Sequence, residues 1–397
     1  MNAKEVHDLS KEVRTYLNNR AEDLSDSELM RCIIRRIYQS ETFAYRDIDD
    51  NRNLADRVFN SLRSDTGILK PYFDDDSVIE IMVNGINDVF IEKNNHMIHT
   101  DEKFYSDYEL EEMIRRIAGS VRREFNELNP ILDARLADGS RGNAVYKNIS
   151  LNGPTLTIRK FPKEALTINK LIELGTITEE AKDFLKVLVE AGFNIFISGG
   201  TSSGKTTFLN CLTDFIPKDE RIVVIEDSAE LQVKNHENLV RLECRKGNQQ
   251  GTGTVTMTDL IKTSLRMRPS RIIVGEVRGA EVADMISACN TGHDGSISTG
   301  HGNSINGMLK RLESMYLQAV DFPIASIRAQ IAEGIDLIVH LKRMKDGSRK
   351  VVEIAEICGM SGDEFNINRL FEFTPGSGLV RTDNDIINRH KLELLGY

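Results

Sequence analysis

Eight residues between a strand pattern and a helix pattern constrain this chain more than any other feature. Residues 199–206 read Gly-Gly-Thr-Ser-Ser-Gly-Lys-Thr and match the spacing G-x-x-x-x-G-K-[S/T]. The apolar residues 195–197 precede them, and the helical pattern of residues 207–212 follows. In that context glycines let backbone N–H groups wrap a phosphate, and the helix N-terminus adds its positive dipole end. The pattern therefore predicts a phosphate-binding loop at the carboxyl end of a buried strand.

The side chains of this loop have distinct predicted roles. Lys205 is placed to reach the β- and γ-phosphates of a nucleoside triphosphate, and the Thr206 hydroxyl is placed to ligate Mg²⁺. These roles predict ATP and Mg²⁺ as the bound molecules. The predicted nucleotide-binding residues are Gly199, Gly200, Thr201, Ser202, Ser203, Gly204, Lys205, Thr206 and Thr207.

Short, wholly apolar segments alternate with helical patterns in the second half of the chain. They are residues 195–197, 222–225 and 272–274. Strands that are apolar on both faces are typical of a parallel sheet covered by helices on both sides, so residues 179–397 are predicted to form an α/β domain. Upstream, the patterns predict a helical module over residues 1–70, a mixed α/β domain over residues 71–160 and a linker over residues 161–178.

Carboxylates follow two of these apolar strands. Glu226, Asp227 and Glu230 come after residues 222–225, and Glu276 comes after residues 272–274. Because the carboxyl ends of neighbouring parallel strands line one crevice, we expect these side chains to converge on the phosphate-binding loop. Glu276 is the predicted base for an attacking water and a predicted metal contact, and Glu230 is a further catalytic candidate.

Gly275 and His301 complete the predicted site. A standard Walker B strand has Asp at the position of Gly275, so metal ligation here is predicted to depend on Thr206, the nucleotide and water, with Glu276 nearby. His301 ends a stretch of mostly small residues, 290–301, whose size lets the backbone approach a ligand closely. Its imidazole, downstream of the other motifs, is a predicted sensor of the γ-phosphate.

Four segments together resemble the type II/IV secretion ATPase superfamily. They are residues 199–206, the acidic box 225–231, the arginine-rich segment 265–279 and the histidine box 290–301. The resemblance implies a RecA-like P-loop NTPase domain with a parallel sheet, preceded by a PAS-like mixed α/β domain. It also implies an ATPase that works as a homohexameric ring beneath an inner-membrane platform.

Three upstream segments are most similar to the CpaF-like motors of tight-adherence (Tad, Flp) pili. They are residues 81–85, 133–141 and 157–161. Arg141 and Arg159 match positions at which relatives present arginines to the nucleotide phosphates, so the resemblance implies a catalytic role for both. The branch usually has Ala after the sensor histidine, whereas this chain has Gly302. A motor for assembly or retraction of such a pilus, or for secretion, is the implied function.

Composition bears on partners and location. The formal net charge is −10, which argues against sequence-independent nucleic-acid binding, because neutralising phosphates takes a surplus of Lys and Arg. No apolar run reaches the roughly 18 residues that cross a bilayer, so we expect a cytoplasmic protein held at the membrane by its partners. Three alternatives stay open: a conjugative type IV secretion ATPase, a nucleic-acid-translocating ring motor, and a regulatory protein that binds ATP with little turnover.

Overall fold

The computed structural model describes residues 3–18, 24–94, 96–161, 165–245, 247, 252–394 and 396. The chain divides into two units, residues 1–163 and 164–397. Within the described residues, no helix combines the length and the apolar character that spanning a membrane requires.

Helices precede and interrupt an antiparallel sheet in the first unit. In chain order its elements are α1 (Ala3–Asn18), α2 (Asp26–Gln39), α3 (Ile48–Arg63), a 3₁₀ turn (Gly67–Leu69), α4 (Lys70–Asp74), β1 (Val78–Asn84), β2 (Val89–Lys93), β3 (His96–His99), α5 (Asp107–Ser120), β4 (Ile131–Arg135), β5 (Arg141–Val145) and β6 (Thr155–Arg159). The helices α1–α3 and the sheet with α5 bury separate hydrophobic cores.

Helices α1–α3 pack together through one apolar stripe each. Their buried residues recur at helical spacing and include Val6, Leu9, Val13, Leu29, Ile33, Ile37, Leu54 and Val58. Glu28 accepts a hydrogen bond from the Ser25 backbone N–H at 2.9 Å, which satisfies one of the amides at the start of α2. These three helices lie within residues 1–70, the range for which the spacing of apolar residues predicts a helical module.

The sheet of the first unit has one buried face and one polar face. Its six strands run antiparallel in the order β3-β2-β1-β6-β5-β4. Alternate residues of β1, β5 and β6 are buried, and these residues share a core with the apolar side of α5. The intervening residues therefore occupy the other face, which carries three of the arginines considered below.

Strands and helices alternate through most of the second unit. In chain order its elements are α6 (Ile168–Glu173), α7 (Glu179–Glu190), β7 (Ile195–Gly199), α8 (Lys205–Thr213), β8 (Ile222–Glu226), β9 (Leu239–Glu243), α9 (Met257–Ser264), β10 (Arg271–Val274), α10 (Glu281–Cys289), β11 (Ile297–His301), α11 (Ile305–Tyr316), α12 (Ile324–Gly334), β12 (Leu337–Arg343), β13 (Arg349–Ser361), β14 (Glu364–Thr374), β15 (Gly378–Arg381) and α13 (His390–Glu393).

Nine strands form one mixed sheet in the order β15-β14-β13-β12-β7-β11-β10-β8-β9. The strands from β12 to β9 in this order are parallel, and β13, β14 and β15 continue the sheet beyond β12, each antiparallel to the strand before it. Every residue of β7, β8 and β10 is buried. Ile195 and Ile197 enter one core and Phe196 enters the other, which confirms the predicted parallel sheet covered on both faces.

Residues 165–178 of the predicted linker, 161–178, contain a helix, and residues 162–164 lie outside the described residues. Thr167 caps the start of helix α6 by accepting a hydrogen bond from the Lys170 N–H. Leu171 and Ile177 are buried in the core of the second unit. The sequence does not predict this helix because it has only six residues. A helix that short buries too few apolar residues to produce a recognisable helical spacing.

A buried arginine imposes the sharpest steric limit on the second unit. Arg271 is 4% exposed and pairs with Glu220, donating from Nη2 to Oε1 at 2.9 Å. Gly295 has φ +75°, and a Cβ built there would lie 1.4 Å from the Arg271 Nη1. We expect Gly295→Ala to lower the free energy of unfolding by about 3 kcal/mol or more, through overpacking and disruption of a buried ion pair.

Gly292 provides the matched control for this substitution. Its φ is +89°, yet a Cβ built there meets no atom within 4 Å. Gly292→Ala should therefore cost only the backbone strain of about 1 kcal/mol. Urea unfolding followed by circular dichroism measures both variants, and equal losses would contradict the steric role of Arg271.

Candidate nucleotide-binding and catalytic site

The predicted phosphate-binding loop joins β7 to α8. Gly204 immediately precedes α8 and has φ +92°, in the left-handed region that favours glycine. Ser202 also has a positive φ, +56°. The chain therefore turns sharply at the carboxyl end of β7 before α8 begins, and the first amides of α8 have no partner within the helix.

Space around the loop differs between its two first glycines. A Cβ built at Gly199 would lie 2.5 Å from both the Leu341 carbonyl oxygen and Ser203 Oγ, whereas one built at Gly200 meets nothing within 4 Å. Gly199 is thus fixed by close packing, and the loop is open at Gly200. Ser203 Oγ is buried and has no hydrogen-bond partner among the described residues. An open loop before a helix N-terminus, with a buried hydroxyl that has no hydrogen-bond partner among the described residues, fits the phosphate chain of a nucleotide.

Lys205 lies inside this loop, at the first position of α8. Its side chain is largely buried, and Nζ donates to the Gly200 carbonyl oxygen at 3.0 Å. Nζ also lies 3.4 Å from His301 Nδ1. The structure therefore brings the predicted phosphate-binding lysine next to the predicted γ-phosphate sensor.

Strand register explains why His301 meets the loop. Strand β11 is the parallel neighbour of β7, and His301 pairs directly with Gly199. Gly302 then donates its N–H to the Gly199 carbonyl oxygen at 3.3 Å. The predicted sensor, at the end of β11, therefore lies beside the first residue of the loop.

The glycine after the sensor also has a packing reason. A Cβ built at Gly302 would lie 2.7 Å from Ser198 Oγ and 3.0 Å from Met308 Cβ. Ser198 Oγ is held 3.2 Å from Nδ1 of His340, a buried histidine on β12. The alanine usual in the resembling branch would therefore crowd the hydroxyl of this pair.

Glu276 lies two residues beyond the end of β10 and contacts His301 and Arg278. Its Oε1 is 2.7 Å from His301 Nε2. Its Oε2 accepts hydrogen bonds from Arg278 Nε at 2.9 Å and Arg278 Nη2 at 2.5 Å. Lys205, His301, Glu276 and Arg278 therefore form one continuous chain of polar contacts along the carboxyl edge of the sheet.

The surroundings of His301 favour its neutral form. Burial, followed by the Lys205 ammonium, lowers the pKa of His301, and the Glu276 carboxylate only partly opposes them. In that form Nδ1 can accept from Lys205, and Nε2 lies 2.7 Å from Glu276 Oε1, an oxygen that has no hydrogen-bond partner among the described residues. The imidazole therefore lies between the loop lysine and the Glu276 carboxylate and contacts both.

Glu226 has a structural role that the sequence pattern did not reveal. Its carboxylate is buried and accepts the backbone N–H groups of Glu230 and Leu231, each at 2.8 Å. Burial raises the pKa of Glu226, and these two amides oppose the shift. A Cβ built at Gly275 would lie 3.0 Å from Glu226 Cγ, so the Glu226 side chain fills the space next to the position where a standard Walker B strand has Asp.

Glu230 is linked to the site by its charge interaction with Arg278. Burial lowers the pKa of Arg278, but its hydrogen bond to Glu276 and the charges of Glu276, Asp227 and Glu230 raise it overall. Arg278 Nη1 and Asp227 Oδ2 are 3.9 Å apart. The strand-end carboxylates thus converge on one arginine, which the sequence analysis did not single out.

Arg141 and Arg159 lie in the first unit, directly opposite each other on β5 and β6. Arg135 on β4 is opposite Arg141, so three arginines form a row across neighbouring strands. Like charges at directly opposed positions destabilise a sheet. A row of this kind provides several guanidinium groups for an anion.

The described residues offer few protein ligands for a metal. Among them, no group of three or more His, Cys, Asp or Glu side chains is arranged to hold a metal ion. Thr206, in the first turn of α8 next to the loop, supplies a hydroxyl of the kind that ligates Mg²⁺ beside phosphate oxygens. These residues fit Mg²⁺ bound chiefly by the nucleotide and water, with Thr206 and Glu276 as the predicted protein contacts.

The profile of the family described as "Type II/IV secretion system protein" matches residues 63–366. This chain is a member of that family. The match covers the sheet of the first unit and nearly all of the parallel sheet, including every predicted site residue.

Several family relatives have names linked to transfer or secretion. The chain is 32% identical over 323 residues to a putative conjugal transfer protein of Mycobacterium tuberculosis, covering 79% of this chain and 91% of the relative. It is 31% identical over 312 residues to the type IV secretion system protein PtlH of Bordetella pertussis, covering 72% and 92%. An uncharacterized protein of Methanocaldococcus jannaschii is 39% identical over 298 residues, but the chain spans only 41% of its length.

Solved structures share the fold. The ATPase DotB of Legionella pneumophila has a TM-score of 0.54 and 19% identity, with coverage of 72% of this chain and 78% of DotB. The pilus retraction motor PilT with bound ADP has a TM-score of 0.52 and 19% identity, with coverage of 83% and 86%. These likenesses confirm the predicted mixed α/β fold, an N-terminal domain followed by a RecA-like domain.

Proposed function

We propose that this protein is a Mg²⁺-dependent ATPase that converts ATP hydrolysis into mechanical work for a secretion or pilus machine. The contact chain from Lys205 through His301 to Glu276, beside an open phosphate-binding loop, carries this proposal. Family membership supports the motor role. Release of phosphate from ATP by the purified protein, with and without Mg²⁺, tests it.

The residues of the site divide the reaction between them. Lys205 and the loop amides bind the β- and γ-phosphates, with Thr206 toward the metal. Glu276 accepts a proton from the water that attacks the γ-phosphorus, and the bond to the bridging oxygen breaks to give ADP and phosphate. His301 senses the γ-phosphate and contacts Glu276. Glu230 assists as one of the three carboxylates around Arg278.

Both oxygens of Glu276 already lie in contact with other side chains, which should limit the access of water to them. His301 Nε2 lies 2.7 Å from Oε1, and Arg278 donates hydrogen bonds to Oε2. For the attacking water to reach Glu276 one of these side chains must move aside, and the Arg278 side chain is the more exposed of the two. Turnover by the isolated protein should therefore be slow, because chemistry waits for a conformational step.

For the biological machine, we propose a motor of the CpaF-like tight-adherence branch, acting in the cytoplasm at an inner-membrane platform. The upstream segments 81–85, 133–141 and 157–161 support this branch. Conjugative type IV secretion is the second candidate, favoured by the conjugal transfer relatives. Neighbouring genes for a pilin, a prepilin peptidase and two platform membrane proteins would support the first, and mating-pair genes the second.

A nucleic-acid motor is the weaker alternative. The net charge of −10 opposes it, because nucleic-acid binding draws on an excess of cationic side chains. Stimulation of ATP hydrolysis by single-stranded DNA or RNA would favour that alternative over the secretion or pilus motor.

We expect the working form to be a homohexamer, as the resemblance to ring motors implies. A closed ring uses head-to-tail interfaces, so each subunit presents two different surfaces to its neighbours. Sedimentation velocity at micromolar protein with ATP and Mg²⁺ should show a six-subunit species. A monomer alone under these conditions would argue strongly against the ring.

A further inference from the structure

A cationic hairpin lies beside the phosphate-binding loop and has no part in the reaction described above. It connects β12 to β13 and is rich in positive charge although the whole chain is acidic. Its charged residues are the cations Lys342, Arg343, Lys345, Arg349 and Lys350 and the anion Asp346. Asp346 accepts hydrogen bonds from the Ser348 N–H and hydroxyl, so it is committed to the turn itself.

Arg349 is the member of this hairpin that contacts the loop. Its Nε donates to the Ser202 carbonyl oxygen at 3.2 Å. Its aliphatic stem lies against Gly204, where a Cβ would be 3.6 Å from Arg349 Cδ. The guanidinium group is thereby held at the rim of the loop that precedes α8.

Arg349 also has a like charge directly across the strand pair. Strands β12 and β13 place Arg343 opposite Arg349. Directly opposed residues of a strand pair point to the same face, so both guanidinium groups lie on one face of the hairpin.

Sheet order decides which end of a bound nucleotide lies near Arg349. Strand β7 lies between β11 on one side and β12 on the other. His301 and Glu276 come from the β11 side, so the γ-phosphate belongs there. The remaining part of the nucleotide, from the α-phosphate to the ribose, then extends toward the β12 side, where Arg349 lies.

We propose that Arg349 is a nucleotide-binding residue that contacts the α-phosphate end of ATP and of ADP, an inference that rests on the proposed ATPase function. A planar guanidinium group can donate two hydrogen bonds to phosphate oxygens while its stem stays packed on Gly204. Contact with the α-phosphate is present before and after hydrolysis, so Arg349 holds the nucleotide without sensing its state.

The adjacent residue, Lys350, is also a cation of the hairpin, but its hydrogen bonds go to residues outside the phosphate-binding loop. Lys350 Nζ donates to the carbonyl oxygens of Leu174 and Gly175, at 3.2 and 2.7 Å. Successive residues of a strand point to opposite faces, so Arg349 and Lys350 face different surroundings. Lys345, an exposed cation in the same turn, provides a control of equal charge.

Calorimetric titration of Arg349→Ala tests the proposal. ADP binding is measured directly, and ATP binding is measured in the Glu276→Gln background, which prevents turnover during the titration. Loss of a charge-assisted hydrogen bond should raise both dissociation constants by the same factor, about tenfold to a hundredfold. Lys345→Ala should leave both constants within about twofold of the parent, since it removes only a screened surface charge.

The outcomes separate the possible roles. If the parent binds neither nucleotide, the ATPase function fails and this inference fails with it. If the parent binds both and Arg349→Ala binds them equally well, only the inference is overturned. If ATP affinity falls while ADP affinity is retained, Arg349 acts on the γ-phosphate and the α-phosphate assignment is wrong.

Thermal unfolding distinguishes a ligand contact from a brace on the loop. A contact with nucleotide predicts that Arg349→Ala loses most of the increase in melting temperature that ADP gives the parent, whatever the ligand-free protein loses with the bond to Ser202. A lower melting temperature without ligand, with the ADP-induced increase unchanged, would overturn the proposal.

Discussion

Glu276→Gln is expected to reduce the rate of ATP hydrolysis about 10²- to 10⁴-fold while ATP binding is retained, because an amide cannot accept the proton of the attacking water. The substitution preserves the shape of the side chain and one oxygen acceptor. It removes the charge that contacts His301 and Arg278. A single-turnover assay of phosphate release, combined with a binding titration, measures the two effects separately.

Two further variants make this result interpretable. Lys205→Ala should weaken ATP binding itself, because the ammonium within the loop is lost. Glu237→Gln removes a carboxylate from an exposed loop of the same unit and should hydrolyse ATP like the parent. Hydrolysis by Glu276→Gln at the parental rate would refute the assignment of Glu276 as the base.

Arg141→Ala and Arg159→Ala should each lower turnover about 10³-fold or more, and should lower ATP affinity far less, if these residues neutralise charge developing on the γ-phosphate. Their direct cross-strand pairing supports a shared anionic target. The measurement is kcat and the ATP dissociation constant for each variant.

Arg135→Ala is the matched control within the same row. It removes an equal charge from the next strand, opposite Arg141, and Asp133 and Asp138 are close to it in sequence. A smaller effect at Arg135 would show that position, rather than total charge, matters. Normal hydrolysis by both Arg141→Ala and Arg159→Ala, or a nucleotide complex with both guanidinium groups more than about 8 Å from any phosphate, would contradict the prediction, since hydrogen bonds span about 3 Å.

Local sequence patterns were sufficient to predict the loop and the parallel sheet. The loop depends on contiguous residues, 199–206, and the buried strands depend on short apolar runs, so neither needs knowledge of distant contacts. Convergence of Glu276 and His301 follows from the rule that parallel strands end at one edge. Their actual contact at 2.7 Å depends on the register of β10 with β11, which no local pattern specifies.

The residues that sequence reasoning missed act through partners far away in the chain. Arg349 contacts Ser202, and Glu226 shares its surroundings with Gly275. Arg278 lies within a recognised segment, but its role emerges only once three carboxylates are placed around it. Helix α6 is a different case, since a helix of six residues carries too little periodicity to be predicted from the sequence.

The close approach of Glu226 to Gly275 links two positions that are remote in sequence. A Cβ at position 275 already crowds Glu226 Cγ, so Asp at 275 would need a shorter side chain at 226. A shorter residue at 226 would in turn leave the amides of Glu230 and Leu231 without their acceptor. The two positions should therefore covary among homologues, and a designer who restores the Walker B aspartate should exchange both residues and rebuild the acidic loop together.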